Sequence, residues 1–395
     1  MGPLLRRAEI DGRALGMAGA LALIWIALDL ATGGLFLSAR NLYNLAVQSS
    51  AVGVMATGMV LVIVARHIDL SVGSVLGFTG MLIAKLQVET FPADAAWNWP
   101  VSVAAAIGLG VLIGLWQGYW IAYRAVPAFV VTLAGLLVFR GAAWLVTDGR
   151  TVAPLDPAFQ RLGGGLEGSI GSAWSVALGV LAVAVVAAAL WRGRAVRRAH
   201  GTDTRPVWAE ALRLALWTAG IAAFVWVMNA YEKPRSDVGR GIPVPVLILI
   251  AVTIGMTALS RATRFGRYVF ALGGSPVATS LAGIDVRRVT LRVFALMGAL
   301  CGVAAVLTTA RLGAGANSMG TLAELSVIAA AVIGGTSLSG GRGTVAGALL
   351  GAVIMQSLEN GMLLLGVSSA ARQVLIGLAL IAAVWLDSAH RRRTS

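Results

Sequence analysis

An all-α, polytopic membrane fold is what this 395-residue chain predicts, and three features carry the prediction. Hydrophobic residues make up 58% of it and charged residues only 12%, the balance of a membrane protein rather than of a water-soluble core. Apolar runs close to the ~20 residues that cross a bilayer recur along its whole length. Arginines gather in alternate gaps between those runs, as inward-facing loops do. Mean hydropathy is +0.84.

About twelve spans result. The first, Ala14–Leu30, follows Arg6, Arg7 and Arg13; it is too long for a signal-peptide core and includes Asp29, so it reads as an uncleaved span. Leu45–Ala65 is second, and the third, Leu70–Leu86, opens after the cluster Arg66-His67-Ile68-Asp69. Val101–Tyr123 and Val126–Thr147 are separated only by Arg124-Ala125, a tight turn, and the polar stretch Asp148–Gly171 reads as an external loop. Ala173–Trp191 and Ala211–Tyr231 flank a basic loop with Arg192, Arg194, Arg197, Arg198 and Arg205. Val244–Leu259 precedes the largest basic segment, Arg261–Arg292. Leu291–Ala310, Ala323–Ile333, Val345–Leu364 and Val374–Trp385 complete the set.

A cytoplasmic N-terminus places all these arginines, and the tail Arg391–Arg393, on the inside. Lys233, Arg235 and Arg240 are a mild exception, offset by Glu232 and Asp237. An even span count then makes both termini cytoplasmic. Residues 1–395 read as one transmembrane domain: N-terminal spans over 14–172, an extra pair over 173–231, a cytoplasmic segment over 261–290 and C-terminal spans over 291–388. Nothing outside the spans is long enough to bury a core of its own.

Several chemistries are excluded. The net charge of +14 is nearly all arginine, since the lysines are Lys85 and Lys233; arginines set between apolar spans point to lipid surfaces, not nucleic acid. Cys301 can form no internal disulfide and reads as a packing residue. Gly335 and Gly340 have the spacing of a Walker A loop, but Gly341 stands where its lysine must be, so this chain does not hydrolyse ATP. Neither metal-ligand spacing nor a nucleophile–base set occurs, so no catalytic residue and no cofactor is expected. Ion-coupled secondary transport of a small polar solute is the alternative. It needs ionisable groups inside spans, whereas Asp29, Asp69, Arg140, Glu324, Glu359 and Arg372 all lie near predicted span ends.

Two stretches stand out. Between Ala323 and Leu364, two apolar arms meet at Gly334–Thr344, where glycines and hydroxyl residues fill nine of eleven positions. That composition fits a close-packed turn or a polar lining, not a lipid-facing surface. In the basic segment, Gly273-Gly274-Ser275-Pro276 leads into Val277–Ala282 and then Gly283. Serine caps helices, proline suits their first position and glycine stops them. A two-turn helix follows, with Ala278 inside it, where a proline should break it. Two turns do not hold alone in water, so the helix lies against its own span ends or against a partner.

Arg311-Leu312-Gly313-Ala314-Gly315, Ala323-Glu324-Leu325, the run from Gly334 to Gly341, Leu358-Glu359-Asn360-Gly361-Met362 and Ala383–Ser388 together resemble permease subunits of bacterial sugar ABC importers of the ribose/xylose type, the xylose subgroup above all. His67-Ile68-Asp69-Leu70-Ser71-Val72-Gly73-Ser74 resembles a further motif of that family. The likeness is dense over Arg261–Ser388 and patchy before it. It implies an inner-membrane subunit that moves a pentose-like sugar, xylose first, with a separate ABC ATPase, a periplasmic sugar-binding protein and a second permease copy. It further implies that Gly273, Gly274, Ser275, Pro276, Ala278 and Gly283 form the element that couples to the ATPase; relatives commonly have asparagine where Ser275 stands. A sugar path needs hydroxyls and amides, for which Asp69, Ser71, Ser74, Asn317, Glu324, Thr336 and Ser337 are the candidates. Asp69-Leu70-Ser71-Val72 is partly echoed by Glu324-Leu325-Ser326-Val327. The topology above puts those two helix starts on opposite faces, as an inverted repeat would.

Overall fold

The computed structural model describes residues 12–92, 95–165, 167–201, 206–233, 236–378 and 381. In chain order its helices are α1 (Gly12–Ala31), α2 (Ala39–Val64), α3 (Val72–Lys85, continued by a π turn Leu86–Thr90), α4 (Asn98–Ala122), α5 (Ala128–Leu145) and the short α6 (Pro157–Gln160). There follow α7 (Ser172–Ala199), α8 (Val207–Ala230), α9 (Val244–Ala262), α10 (Arg264–Gly274), α11 (Pro276–Leu281), α12 (Val286–Leu312), α13 (Ala323–Ile333), α14 (Val345–Leu364) and α15 (369–378). Isolated bridges are the only β pairing among the described residues.

Among the described residues, eight helices are long and apolar enough to cross a membrane: α2, α4, α5, α7, α8, α9, α12 and α14. The expected first span coincides with α1, of which Leu15–Ala31 is the apolar part. The third is α3 with its π turn. The expected twelfth, Val374–Trp385, lies partly outside the described residues, as do Arg6, Arg7, Arg205, Ala383–Ser388 and Arg391–Arg393. The tenth is corrected. Helix α13 has 11 residues, about 16 Å of rise, roughly half of a bilayer core.

The chain divides into two compact units, one from residues 1–44 and 169–243 and the other from 45–168 and 244–395. In the first, α7 and α8 pair as a hairpin around Gly179, which faces Val225 and Ile221. Most of the hairpin's apolar surface stays exposed. Trp174 and Trp191 on α7, and Trp208 and Trp226 on α8, are exposed near the helix ends. Each pair is separated by about 26–27 Å of helix, and tryptophans prefer the two membrane–water interfaces. Arg194 and Glu210 close the hairpin's tip at 2.8 Å. Arg240, 6% exposed, stacks over Tyr231 at 4.3 Å and over Tyr43 at 5.7 Å.

The second unit is organised by backbone-to-backbone packing. Gly110, Gly114 and Gly118 repeat every fourth residue on α4 and face Gly298, Phe294 and Leu291 of α12, while Gly302 of α12 faces Ala106. A methyl group at Gly110 would strike the Gly298 carbonyl, and one at Gly298 would strike that of Gly110. In lipid, helices associate by such close approach rather than by a hydrophobic drive. Gly347 and Gly351 on α14 do the same against Gly334 and Ala330.

Gly110→Ala should therefore lower the melting temperature of the detergent-solubilised protein, since overpacking costs about 1–3 kcal/mol. Gly108→Ala on the same helix, where an added methyl meets nothing within 4 Å, should leave it unchanged. Equal melting of the two variants would contradict the close packing of α4 on α12.

Candidate functional site

Inside the second unit, two helix N-termini meet. Asp69, 3% exposed, accepts hydrogen bonds from the Ser71 N–H (2.8 Å) and hydroxyl (2.7 Å) as α3 begins. Gln117 Nε2 of α4 donates to Ser71 Oγ at 2.7 Å, fixing the turn from the side. Helix α13 starts next to it. A methyl at Gly73 would run into the Gly320 carbonyl and the Glu324 carboxylate, and one at Gly77 would meet the Met319 carbonyl at 2.7 Å. Glycines at 73, 77 and 80 thus cut a groove along α3 that receives residues 319–324.

The segment between α12 and α13 leaves the helix inside the bundle, so its carbonyls need donors. Arg140 of α5 supplies them: Nη1 donates to the Met319 carbonyl (2.8 Å) and the Asn317 carbonyl (3.3 Å), and Nη2 to Gly320 (3.0 Å). Its charge also acts on Glu324, which is 6% exposed in the first turn of α13. Asp69 and Glu324 each sit at a helix N-terminus, where the partial positive charge of the helix favours a carboxylate.

The two helix starts are not on opposite faces. Helix α3 runs from the turn at Asp69 toward Val146, whose carbonyl accepts from Lys85 Nζ at 2.6 Å. Helix α13 runs the other way, toward Gly334. Their starts lie side by side because the 313–322 segment folds back into the bundle under Arg140.

Several polar atoms of this seam are buried without a partner: Ser74 Oγ, Asn317 Oδ1 and Nδ2, and Glu324 Oε2. Asp69, Ser71, Ser74, Asn317 and Glu324 therefore share one region. Thr336 and Ser337 do not; they lie at the opposite end of α13, in the glycine-rich turn. There the Ser337 N–H donates to the Arg342 carbonyl (2.9 Å), Gly340 N–H to Ser337 (2.9 Å), and Gly341 N–H to Val64 at the end of α2 (3.0 Å). Of the two readings of this composition, the geometry is that of a close-packed turn.

The same turn touches the segment before α11. Gly273 is buried, and a methyl on it would strike the Val64 carbonyl and approach the Gly341 amide. Ser275 Oγ accepts from the Ala278 N–H at 3.2 Å, Pro276 is the first helical residue, and Gly283 ends the segment at φ +78°. Thr279 is buried, while Val277 and Leu281 are 71% and 84% exposed. Asp285 then caps α12 through the Arg288 N–H (3.0 Å). Because the helix begins at Pro276, Ala278 lies in its first turn, and proline there would remove the N–H that caps onto Ser275. Proline at Ser280 falls in the interior, where it is least tolerated.

Gln117 and Arg140 complete the seam and are not among the candidates from sequence. Gln117 shows there only as a polar residue in an apolar run, and Arg140 as a residue near a span end. The spacing of Gly73, Gly77 and Gly80 is the signal that another backbone lies against α3.

The sequence profile of the family described as "Branched-chain amino acid transport system / permease component" matches residues 41–384. The xylose transport system permease protein XylH of Escherichia coli (strain K12) is 40% identical over 378 residues, covering 96% of this chain and 92% of that protein. XylH of Haemophilus influenzae is 40% identical, covering 95% of this chain and 96% of that protein. The ribose import permease protein RbsC of E. coli (strain K12) is 33% identical, covering 89% of this chain and 87% of that protein. No solved structure gives a significant match.

Replacing Arg140 with methionine removes a donor from three carbonyls; Gly320 keeps the Ala323 N–H, while each carbonyl left unpaired and buried costs about 1–3 kcal/mol. Arg140→Met should lower the melting temperature by several degrees. Arg150→Met, whose guanidinium is exposed beside Glu89, should not. Unchanged melting of Arg140→Met would show that the fold-back of 313–322 does not depend on this residue.

Proposed function

Since the chain belongs to the family of branched-chain amino acid transport system permease components, we propose that it is the membrane-spanning subunit of an ATP-driven, binding-protein-dependent importer of a pentose-like sugar, xylose first. The observation that carries this reading is the likeness, nearly end to end, to permeases of xylose and ribose transport systems. The exposed Val277 and Leu281 of α11 support it further, as an apolar face on a short helix suited to an ATPase subunit.

In this reading the protein sits in the bacterial inner membrane with about twelve membrane segments, α13 being a half-span, and with both termini cytoplasmic. Arg66, Arg261, Arg264, Arg267, Arg287, Arg288 and Arg342 surround the α11 end of the second unit, which supports placing that end on the cytoplasmic side. A second copy completes the pore, a separate subunit hydrolyses ATP, and a periplasmic binding protein delivers the sugar. The route runs along the seam of Asp69, Ser71, Ser74, Asn317 and Glu324, joined by Gln117. Hydroxyls, amides and carboxylates offer both donors and acceptors to a polyol. Thr336 and Ser337, remote from the seam, are left to the turn. Arg140 and Glu324 resemble an ion-coupling pair, but the bonds of Arg140 to three carbonyls assign it to holding the backbone.

The test is reconstitution. This chain, its ATPase and a xylose-loaded binding protein in proteoliposomes should take up sugar when ATP is supplied inside. Ser280→Pro, an interior proline costing roughly 3 kcal/mol, should abolish uptake while membrane insertion stays normal. Ser275→Ala, which removes a cap worth about 1 kcal/mol, should be milder. Uptake by this chain alone, driven by a proton gradient, would replace the importer reading with secondary transport.

A further inference from the structure

We propose that Arg66 is a positioning residue, a clamp that fastens the ATPase-docking segment to the interior helices so that movement of α11 is passed to the start of α3. The proposal rests on the import reading above.

Arg66 follows the end of α2, and its side chain reaches across more than two hundred residues of sequence. Its Nε donates to the Gly273 carbonyl and its Nη2 to the Gly274 carbonyl, both at 2.7 Å. These are the last two carbonyls before Ser275, the cap of α11. A guanidinium presents its donors in a rigid planar fork, so two bonds to consecutive carbonyls fix both the distance and the orientation of that peptide. Little slack remains around it. Gly273 has no room for a methyl beside Val64 and Gly341, and Gly340 packs its Cα against the Arg66 side chain. The bond from Gly341 to Val64 ties the glycine turn to the same point.

Toward the interior, the chain from Arg66 is fixed again within a few residues. The Ile68 carbonyl accepts from Thr132 Oγ1 of α5 at 3.3 Å, and Asp69 and Ser71 are held by each other and by Gln117. Gly73 then abuts Gly320 and Glu324. The short stretch from Arg66 to Gly73 thus connects the docking segment to the seam where α3 and α13 meet, anchored at each end and in the middle.

The turn does not itself require an arginine. Arg66 has a φ of +66°, a left-handed conformation that glycine adopts more readily. Arg66→Gly should therefore keep the turn and delete only the clamp, which makes it the variant of choice.

The experiment compares wild type, Arg66→Gly and Arg66→Lys in proteoliposomes with the ATPase and xylose-loaded binding protein, recording melting temperature, assembly, ATP hydrolysis and sugar taken up per ATP. Arg66→Gly is expected to assemble and hydrolyse ATP close to wild type, with a melting temperature lowered by no more than the loss of two carbonyl donors entails, as in Arg140→Met. Its sugar uptake per ATP is expected to fall about tenfold, within the usual span of coupling between sites. Arg66→Lys, which keeps a donor but not the fork, is expected to recover part of the loss. Wild-type uptake per ATP in Arg66→Gly would overturn the clamp, as would loss of assembly or of ATP hydrolysis in that variant, which would make Arg66 merely structural. No uptake by the wild-type complex would overturn the import reading and the clamp with it.

Discussion

Carbonyl groups that leave a helix at membrane depth must find donors, and between α12 and α13 one side chain supplies three of them beside the local backbone bonds. Arg140 holds the carbonyls of Asn317, Met319 and Gly320. Because it does, the chain after α12 can turn back into the bundle and α13 can begin there with only eleven residues. Everything particular to the interior follows from that fold-back. The start of α13 meets the start of α3, two carboxylates come to rest at two helix N-termini, and polar atoms of Ser74, Asn317 and Glu324 are gathered in one seam. Room for it comes from Gly73, Gly77 and Gly80, each facing a backbone or side-chain group that a larger residue would displace.

The far end of α13 leads into a turn of equally close fit, and there the packing ties together parts distant in sequence: Val64 at the end of α2, Gly341 in the glycine turn and Gly273 before α11. The interior seam and the segment before α11 are therefore joined through packed backbone. The proposed importer would need that property, since chemical energy released at an ATPase would have to alter contacts deep in the membrane.

Hydropathy locates the helices well because it is a local property. Ala323–Ile333 and Val345–Leu364 read from the sequence with the bounds that the structure has. What hydropathy does not contain is depth. An eleven-residue apolar run looks like a short span, and only the contacts of Met319 and Gly320 with Arg140 reveal that it starts inside. For the same reason Arg140 reads from sequence as a span-end residue and nothing more. Asp69, Ser71 and Ser74 are legible as one motif because they are neighbours in sequence, whereas Gln117 joins them only through the packing of α4. Thr336 and Ser337 look like a lining because hydroxyl content does not say whether a turn faces a path or another backbone. Ser275 and Pro276 read from sequence as cap and first helical residue, as the structure has them, and that start already puts Ala278 in the first turn rather than in the interior.

The route proposed above, the seam between α3 and α13, has to open during transport. Ser74 is 1% exposed, and the chain's single cysteine, Cys301, is buried, so Ser74→Cys in a Cys301→Ala background isolates one reporter thiol. The direct measurement is the reaction of that thiol with a small water-soluble reagent in proteoliposomes carrying the ATPase and binding protein. It should be unreactive at rest, become labelled once ATP and xylose start turnover, and stop transport as it is labelled. A thiol at this position that stays unlabelled while xylose uptake proceeds at the wild-type rate would contradict the proposed route.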